Sequence, residues 1–210
     1  GAVYHGVVDP VSALAYVAGS TSRIRLGTAV INLPFYSPIV LSKALTTVDI
    51  VSNGRLDVGL GLGWAATEFE AVGVPMEKRG ARATEFIECL KAIWTQREVE
   101  YHGQFYDVPE IGVHPLPVQR PIPIYVGGHS DVALDRVARL ADGWIAAGLG
   151  QSRYPETFDR LRRAFDRHGR DLGEIEIVNG EHTDVMLDAA DPDLRAQVER
   201  ALEGLAAYEA

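Results

Sequence analysis

Short runs that are apolar on both faces alternate along this chain with stripes of apolar residues at helical spacing, and that alternation restricts the fold more than any other feature. The runs are Ile24 to Val30, Arg55 to Leu62, Ile122 to Val126, Gly143 to Ala146 and Glu174 to Val178. Strands of this kind belong to parallel sheets covered by helices. Between them fall helical stripes: Ala13, Leu14, Val17 and Ala18; Val40, Ala44, Val48 and Val51; and the long one from Ala83 through Phe86, Ile87, Leu90 and Ile93 to Trp94. Others follow at Ala133 to Ala141, Phe158 to Phe165 and Leu194 to Leu205. Asp9-Pro10, Ser37-Pro38 and Asp191-Pro192 each set a capping side chain before a proline suited to the first helical turn. Strand–helix order predicts an α/β protein with right-handed crossovers. A doubly wound sheet and a (β/α) barrel both satisfy the pattern. Val99 to Val108, broken at His102-Gly103, predicts a hairpin. Pro109 to Pro123, with five of the 11 prolines, predicts a stiff connector, so an insertion spans about 98–121.

Composition removes several function classes. Twenty basic against 29 acidic residues leave a net charge of −9, and the basic residues are scattered, so no phosphate-backbone surface is expected. One cysteine, Cys89, excludes an intramolecular disulfide and a multi-cysteine zinc site. Asn179, Glu181, His182 and Asp184 are dense but lack metal-ligand spacing, and no metal is expected. No apolar stretch reaches the roughly 18 residues of a membrane span, and the start shows no signal-peptide pattern, so the expected location is the cytoplasm. The chain does not begin with methionine.

Two glycine features suggest a ligand. In Arg55 to Gly63, Leu56, Val58, Leu60 and Leu62 share one face while Asp57, Gly59, Gly61 and Gly63 share the other. A bare face predicts close approach, either of a flat ligand or of a neighbouring strand. The dinucleotide fingerprint, which wants glycine at the first, third and sixth places, fails here: the sixth place is Trp64 or Ala66. The second feature is Ile124-Tyr125-Val126 running into Gly127-Gly128-His129-Ser130 just before a helix, a natural phosphate cradle in which Ser130 also suits the N-cap.

Longer stretches then resemble a family. Thr21-Ser22-Arg23-Ile24-Arg25-Leu26-Gly27-Thr28-Ala29-Val30, Asn53-Gly54-Arg55 through Gly61-Leu62-Gly63-Trp64, and Glu68-Phe69-Glu70-Ala71-Val72-Gly73-Val74-Pro75 are similar to the luciferase-like monooxygenase superfamily. Pro115 to Gln119, Gly127-Gly128 and Asp142-Gly143-Trp144 are similar to its branch that uses the deazaflavin coenzyme F420. The resemblance implies a TIM-type (β/α)8 barrel, of which about five of eight strands are visible as one partial domain, residues 1–210. The family's first two strands and its last strand are expected beyond the ends of the chain. It implies a tricyclic cofactor at the carboxyl face, with Ala29–Val30, a cis peptide, against the ring. Gly61, Gly63, Trp64 and Thr67 are implied beside the ring or its side chain. Gly127, Gly128, His129, Ser130, Ala147 and Gly148 are implied around the phosphate.

Two departures bear on the substrate. Where the family's sugar-phosphate dehydrogenases carry a catalytic glutamate this chain has Trp64, and where they carry a phosphate-binding lysine it has Leu149. A small organic substrate other than glucose 6-phosphate is therefore expected. Candidates for proton transfer are His5, Trp64 and Glu68; Glu68 also suits a structural role in the turn. The resemblance implies F420-dependent hydride transfer. FMN-dependent monooxygenation, and a truncated flavin-binding protein without turnover, stand as alternatives. A homodimer through the first two helices is implied as well.

Overall fold

The computed structural model describes residues 8–178. Helices α1 (Pro10–Ser20), α2 (Pro38–Val51), α3 (Ala66–Ala71), α4 (Arg79–Thr95), α5 (Asp131–Leu140) and α6 (Tyr154–Arg167) alternate with β1 (Leu26–Gly27), β2 (Ile31–Asn32), β3 (Leu56–Gly61), β6 (Ile124–Gly127), β7 (Gly143–Ile145) and β8 (Glu176–Val178). The strands β4 (Val99–His102) and β5 (Asp107–Ile111) form the expected hairpin; β5 takes in the first residues of the expected connector. The main sheet is parallel and ordered β1-β3-β6-β7-β8, with β2 also on β3. Strand order follows chain order without the reversal a doubly wound sheet requires. The sheet is part of a singly wound barrel, and the doubly wound alternative is excluded.

Apolar side chains decide the two faces. Leu56, Val58, Leu60, Ile124, Val126 and Trp144 are buried against α2, α4 and α5, whose Leu41, Leu45, Phe86, Leu90, Trp94, Leu134 and Val137 are buried in turn. On the concave face, Gly59, Tyr125, Gly143 and Glu176 lie in one register row, with Gly127, Ile145 and Val178 in the next. Polar contacts close the amino-terminal end of that face. Arg25 Nε donates to Asp57 at 2.6 Å, and Tyr125 Oη donates to Glu176 at 2.5 Å across Gly143.

The expected strand Ile24 to Val30 is broken in two. Gly27 stands opposite Asp57 but Ile31 stands opposite Leu60, so four residues on one side span three on the other. The extra residue makes a bulge that contains the cis peptide Ala29–Val30. Thr28 repairs the interrupted ladder with its side chain: its hydroxyl accepts from Gly59 N–H at 3.0 Å and donates to Gly59 C=O at 2.8 Å. A Cβ at Gly59 would sit 1.7 Å from the Thr28 carbonyl oxygen. Of the two explanations for the bare face, strand crowding holds at this position.

Buried carboxylates pin the loops. Asp49, with no exposed surface, accepts from the N–H groups of Val118 and Gln119 and from the Gln119 side chain, anchoring the proline connector. Glu85 accepts from the N–H groups of Gln104, Phe105 and Tyr106, which closes the hairpin. Asp9 caps α1 by accepting from Ser12 N–H at 2.7 Å, whereas the Ser37 side chain makes no cap bond to α2, so that expectation fails. The Asp191-Pro192 helix start and the Asn179 to Asp184 cluster lie outside the described residues.

Candidate functional site

At the carboxyl ends of β2, β3, β6 and β7 the chain borders a cavity of about 480 Å³. In barrel and open parallel folds this is the end where ligands bind, because the loops there diverge from a rigid sheet. Because Leu60 pairs with Val126, the glycines that end β3 and β6, Gly61 and Gly127, are neighbours rather than distant. Ala29, Val30, Gly61, Gly63, Trp64, Gly127, Gly128, His129, Ser130 and Ala147 all line the cavity. Ten expected positions thus converge in one place.

One wall is an anion cradle. Gly128 has φ +118°, a conformation side chains do not tolerate, and a Cβ there would stand 2.9 Å from the Cβ of Ala133. The turn is held from behind by Trp144, whose indole N–H donates to the Gly128 carbonyl at 3.0 Å. Ser130 accepts from Ala133 N–H at 3.2 Å and so caps α5, the plain role its type predicts. Asp131, the acidic residue of the first helical turn, is paired with Arg160 at 2.8 Å, away from the cradle. His129 packs edge-on against Trp144, with ring centroids 6.3 Å apart, and its Nδ1 is buried without a hydrogen-bond partner. A buried polar atom lacking a partner is costly.

The facing wall is apolar. Val30 covers Gly61, where a Cβ would come within 2.3 Å of Val30 Cγ2. Gly61 and Gly63 line the cavity together with Ala29 and Val30, and Val30 packs over the bare face of Gly61. Gly63, at φ +72° and with its missing Cβ 3.0 Å from the Phe69 ring, turns the chain into α3. Val30, Leu62 and Ile145 on one side and the Gly127–Ser130 turn on the other suit a molecule with a flat apolar ring and a phosphate. The residues present fit a flavin-like cofactor.

Several candidates fall elsewhere. Thr67 and Gly148 do not line the cavity; Thr67 is exposed on α3, and Gly148 forms a left-handed turn past Ala147. Glu68 does not line it either, and its buried Oε2 has no hydrogen-bond partner among the described residues. Trp64 lines the cavity, 60% exposed, but an indole N–H is no acid or base at neutral pH. His5 lies outside the described residues. Leu149 is buried and away from the cavity lining. Conversely, Asn32, Leu62, Arg79, Ala133 and Ile145 line the cavity without having been singled out. Asn32 lies two residues beyond Val30 and so shares its face, a signal the alternation already contained. Arg79 makes no side-chain hydrogen bond or ion pair with any described residue, and nothing in the local pattern marks it. Cys89 is fully buried, and burial pushes its thiol up to about 11, which makes it inert. Among the described residues no helix is long and apolar enough to cross a membrane.

Comparison with known proteins agrees with this geometry. An uncharacterized protein of Mycobacterium tuberculosis is 36% identical over 166 residues, covering 79% of this chain and 57% of its own length. The F420-dependent glucose-6-phosphate dehydrogenase of Kineococcus radiotolerans is 34% identical over 169 residues, 78% of this chain and 50% of its own. The chain spans about half the length of the curated relatives it matches. Among solved structures, monooxygenase RslO1 from Streptomyces bottropensis superposes with a TM-score of 0.76 at 27% identity, over 93% of this chain and 62% of that one. The coenzyme F420 dependent tetrahydromethanopterin reductase of Methanopyrus kandleri shares the fold, with a TM-score of 0.74 at 22% identity, over 82% and 54%. The sequence model described as luciferase-like monooxygenase matches residues 2–210. With that match over a chain whose strand order and carboxyl-end cavity are those of such a barrel, the protein belongs to the luciferase-like monooxygenase family.

Proposed function

We propose that this protein is an F420-dependent oxidoreductase acting on a small organic substrate. The observation that carries the reading is the single cavity joining the Ala29–Val30 ledge to the Gly127–Ser130 turn. When bound, the deazaflavin supplies a ring carbon that accepts or donates hydride and does not activate oxygen. The chain's own residues supply position and dryness. Ala29 and Val30 would support one ring face and leave the other for substrate. Gly127, Gly128 and Ser130 would seat the phosphate at the start of α5, where helix geometry favours an anion. The imidazole of His129, part of the cavity lining, would face the phosphate or a ribityl oxygen. Trp64 would offer an apolar surface on the substrate side, which disfavours a dianionic sugar phosphate.

FMN-dependent monooxygenation is the second reading, supported by the likeness to RslO1 at 27% identity. Association of two copies belongs to the proposal too, through the outward faces of α1 and α2, where Tyr16, Val40, Ile50 and Val51 are exposed. The test is spectroscopic. Purified protein is titrated with F420 and with FMN, and each complex is then assayed for substrate-dependent loss of the reduced-cofactor signal with and without oxygen. F420 binding with oxygen-independent turnover supports the first reading; preferential FMN binding with oxygen consumption replaces it by the second.

A further inference from the structure

The last row of the concave face carries a single polar side chain among the described residues. Asn32 on β2 stands opposite Gly61 on β3, next to which lies Gly127 on β6, and Gly127 is followed across the sheet by Ile145 and Val178. Two glycines and two aliphatic residues supply no side-chain hydrogen bond. A molecule lying across the carboxyl ends of these strands therefore meets a hydrogen-bonding side chain of the row only at Asn32. The other polar side chains of the cavity belong to different walls. Ser130 caps α5, His129 packs on Trp144, and Arg79 opens α4.

The fold itself makes no use of the Asn32 amide. Asn32 precedes the short 3₁₀ turn Leu33–Phe35 as its N-cap, where an asparagine side chain commonly accepts from a backbone N–H of its own turn, and it makes no such bond. Nor does its side chain bond to any other described residue. It leans instead over β3, with Oδ1 3.5 Å from the point a Cβ on Gly61 would occupy. There it lines the cavity two residues beyond Val30 and on the same face. Water satisfies such a half-buried amide while the cavity is open. A ligand that displaces the water without an oxygen or nitrogen of its own forfeits those bonds.

We infer that Asn32 is a specificity-determining residue that holds an uncharged oxygen of the substrate, a hydroxyl or a carbonyl, beside the Ala29–Val30 ledge. The inference rests on the reading of the cavity as an F420 site and adds the group that selects the substrate. A carboxamide suits both oxygen types, since Nδ2 donates to a carbonyl and Oδ1 accepts from a hydroxyl. Being neutral, it does not compensate the charge of a carboxylate or phosphate, so an anionic group at this place stays unpaired.

The test uses three probes titrated into protein loaded with oxidised F420 and followed by the change in cofactor absorbance. They are acetophenone, ethylbenzene as the same skeleton without the oxygen, and benzoate. In Asn32→Leu, acetophenone affinity should fall roughly 3- to 10-fold, the range of one neutral hydrogen bond, whereas ethylbenzene affinity should not fall. F420 affinity, read by fluorescence, should be retained. A thermal melt controls for folding, and Asn32→Ala is the second variant, removing the amide without adding bulk. Undiminished acetophenone affinity in a folded variant, an equal loss for both neutral probes, or no acetophenone binding to the loaded parent overturns the inference and leaves the cofactor reading intact. So does benzoate binding more tightly than acetophenone, or a variant that loses F420 affinity while keeping the parent's preference among probes. Failure of the parent to bind F420 overturns the cofactor reading, and this inference with it.

Discussion

Replacing Thr28 with valine isolates the device that shapes the site's apolar wall. The substitution keeps the branched shape and removes one oxygen. That oxygen is the partner of two backbone groups on Gly59, the N–H at 3.0 Å and the C=O at 2.8 Å, in a place only 9% exposed. Neither group has another candidate, because the bulge carries β1 and β2 out of register at that point. Leaving a buried backbone donor or acceptor unpaired costs about 1–3 kcal/mol each. The pair therefore costs about 2–6 kcal/mol, less a fraction of a kcal/mol for the added methyl. A loss near 3 kcal/mol in a domain of this size lowers the melting temperature by roughly 6–12 °C. Urea or thermal unfolding measures it, with Thr28→Ser as the control that restores the hydroxyl and most of the stability. A Thr28→Val protein within about 0.5 kcal/mol of the parent, a typical spread for inconsequential surface changes, would show that the ladder across the bulge does not depend on that hydroxyl.

Gly128→Ala should weaken the cradle twice, through backbone strain of about 1–3 kcal/mol at φ +118° and through the 2.9 Å approach to Ala133. Differential scanning calorimetry should show a lowered transition, and adding Ala133→Gly should recover only the steric part. His102, hydrogen-bonded first to Asp107 and then to Glu100, should titrate above its ordinary value by NMR. A raised folded-state pKa means that its stabilisation of the hairpin is complete below the unfolded value and lost as pH rises through the folded one. Asp107→Asn should bring that titration back down. Val40→Glu, on the exposed face of α2, should shift a dimer toward monomer in analytical ultracentrifugation; an unchanged sedimentation coefficient for a dimeric parent would place the interface elsewhere.

Most of the fold was legible because apolar periodicity dictates it. Leu56, Val58 and Leu60 on one side and the stripe from Ala83 to Trp94 on the other could be buried only by stacking helix on sheet, and each lies where its spacing predicted. What stayed hidden is tertiary in origin. No local pattern says that Thr28 will stand in for a backbone partner, that Asp49 will reach the connector 69 residues away, or that Arg79 will turn toward the cavity rather than to a carboxylate. The bare glycine face was read as either a ledge for a ring or a place of strand crowding. The structure divides the answer by position: crowding by Thr28 at Gly59, and Val30 packed over Gly61 where both line the cavity. The cradle was easier, since two glycines, a capping serine and an amphipathic helix act locally and in sequence order.

A crystal structure of the protein with F420 bound bears most directly on how the cavity is used. The account predicts the deazaflavin ring packed on Ala29 and Val30, and phosphate oxygens within hydrogen-bond reach of the Gly127–Ser130 turn. A ring bound away from β2 and β3, or a phosphate held by groups outside that turn, would contradict it.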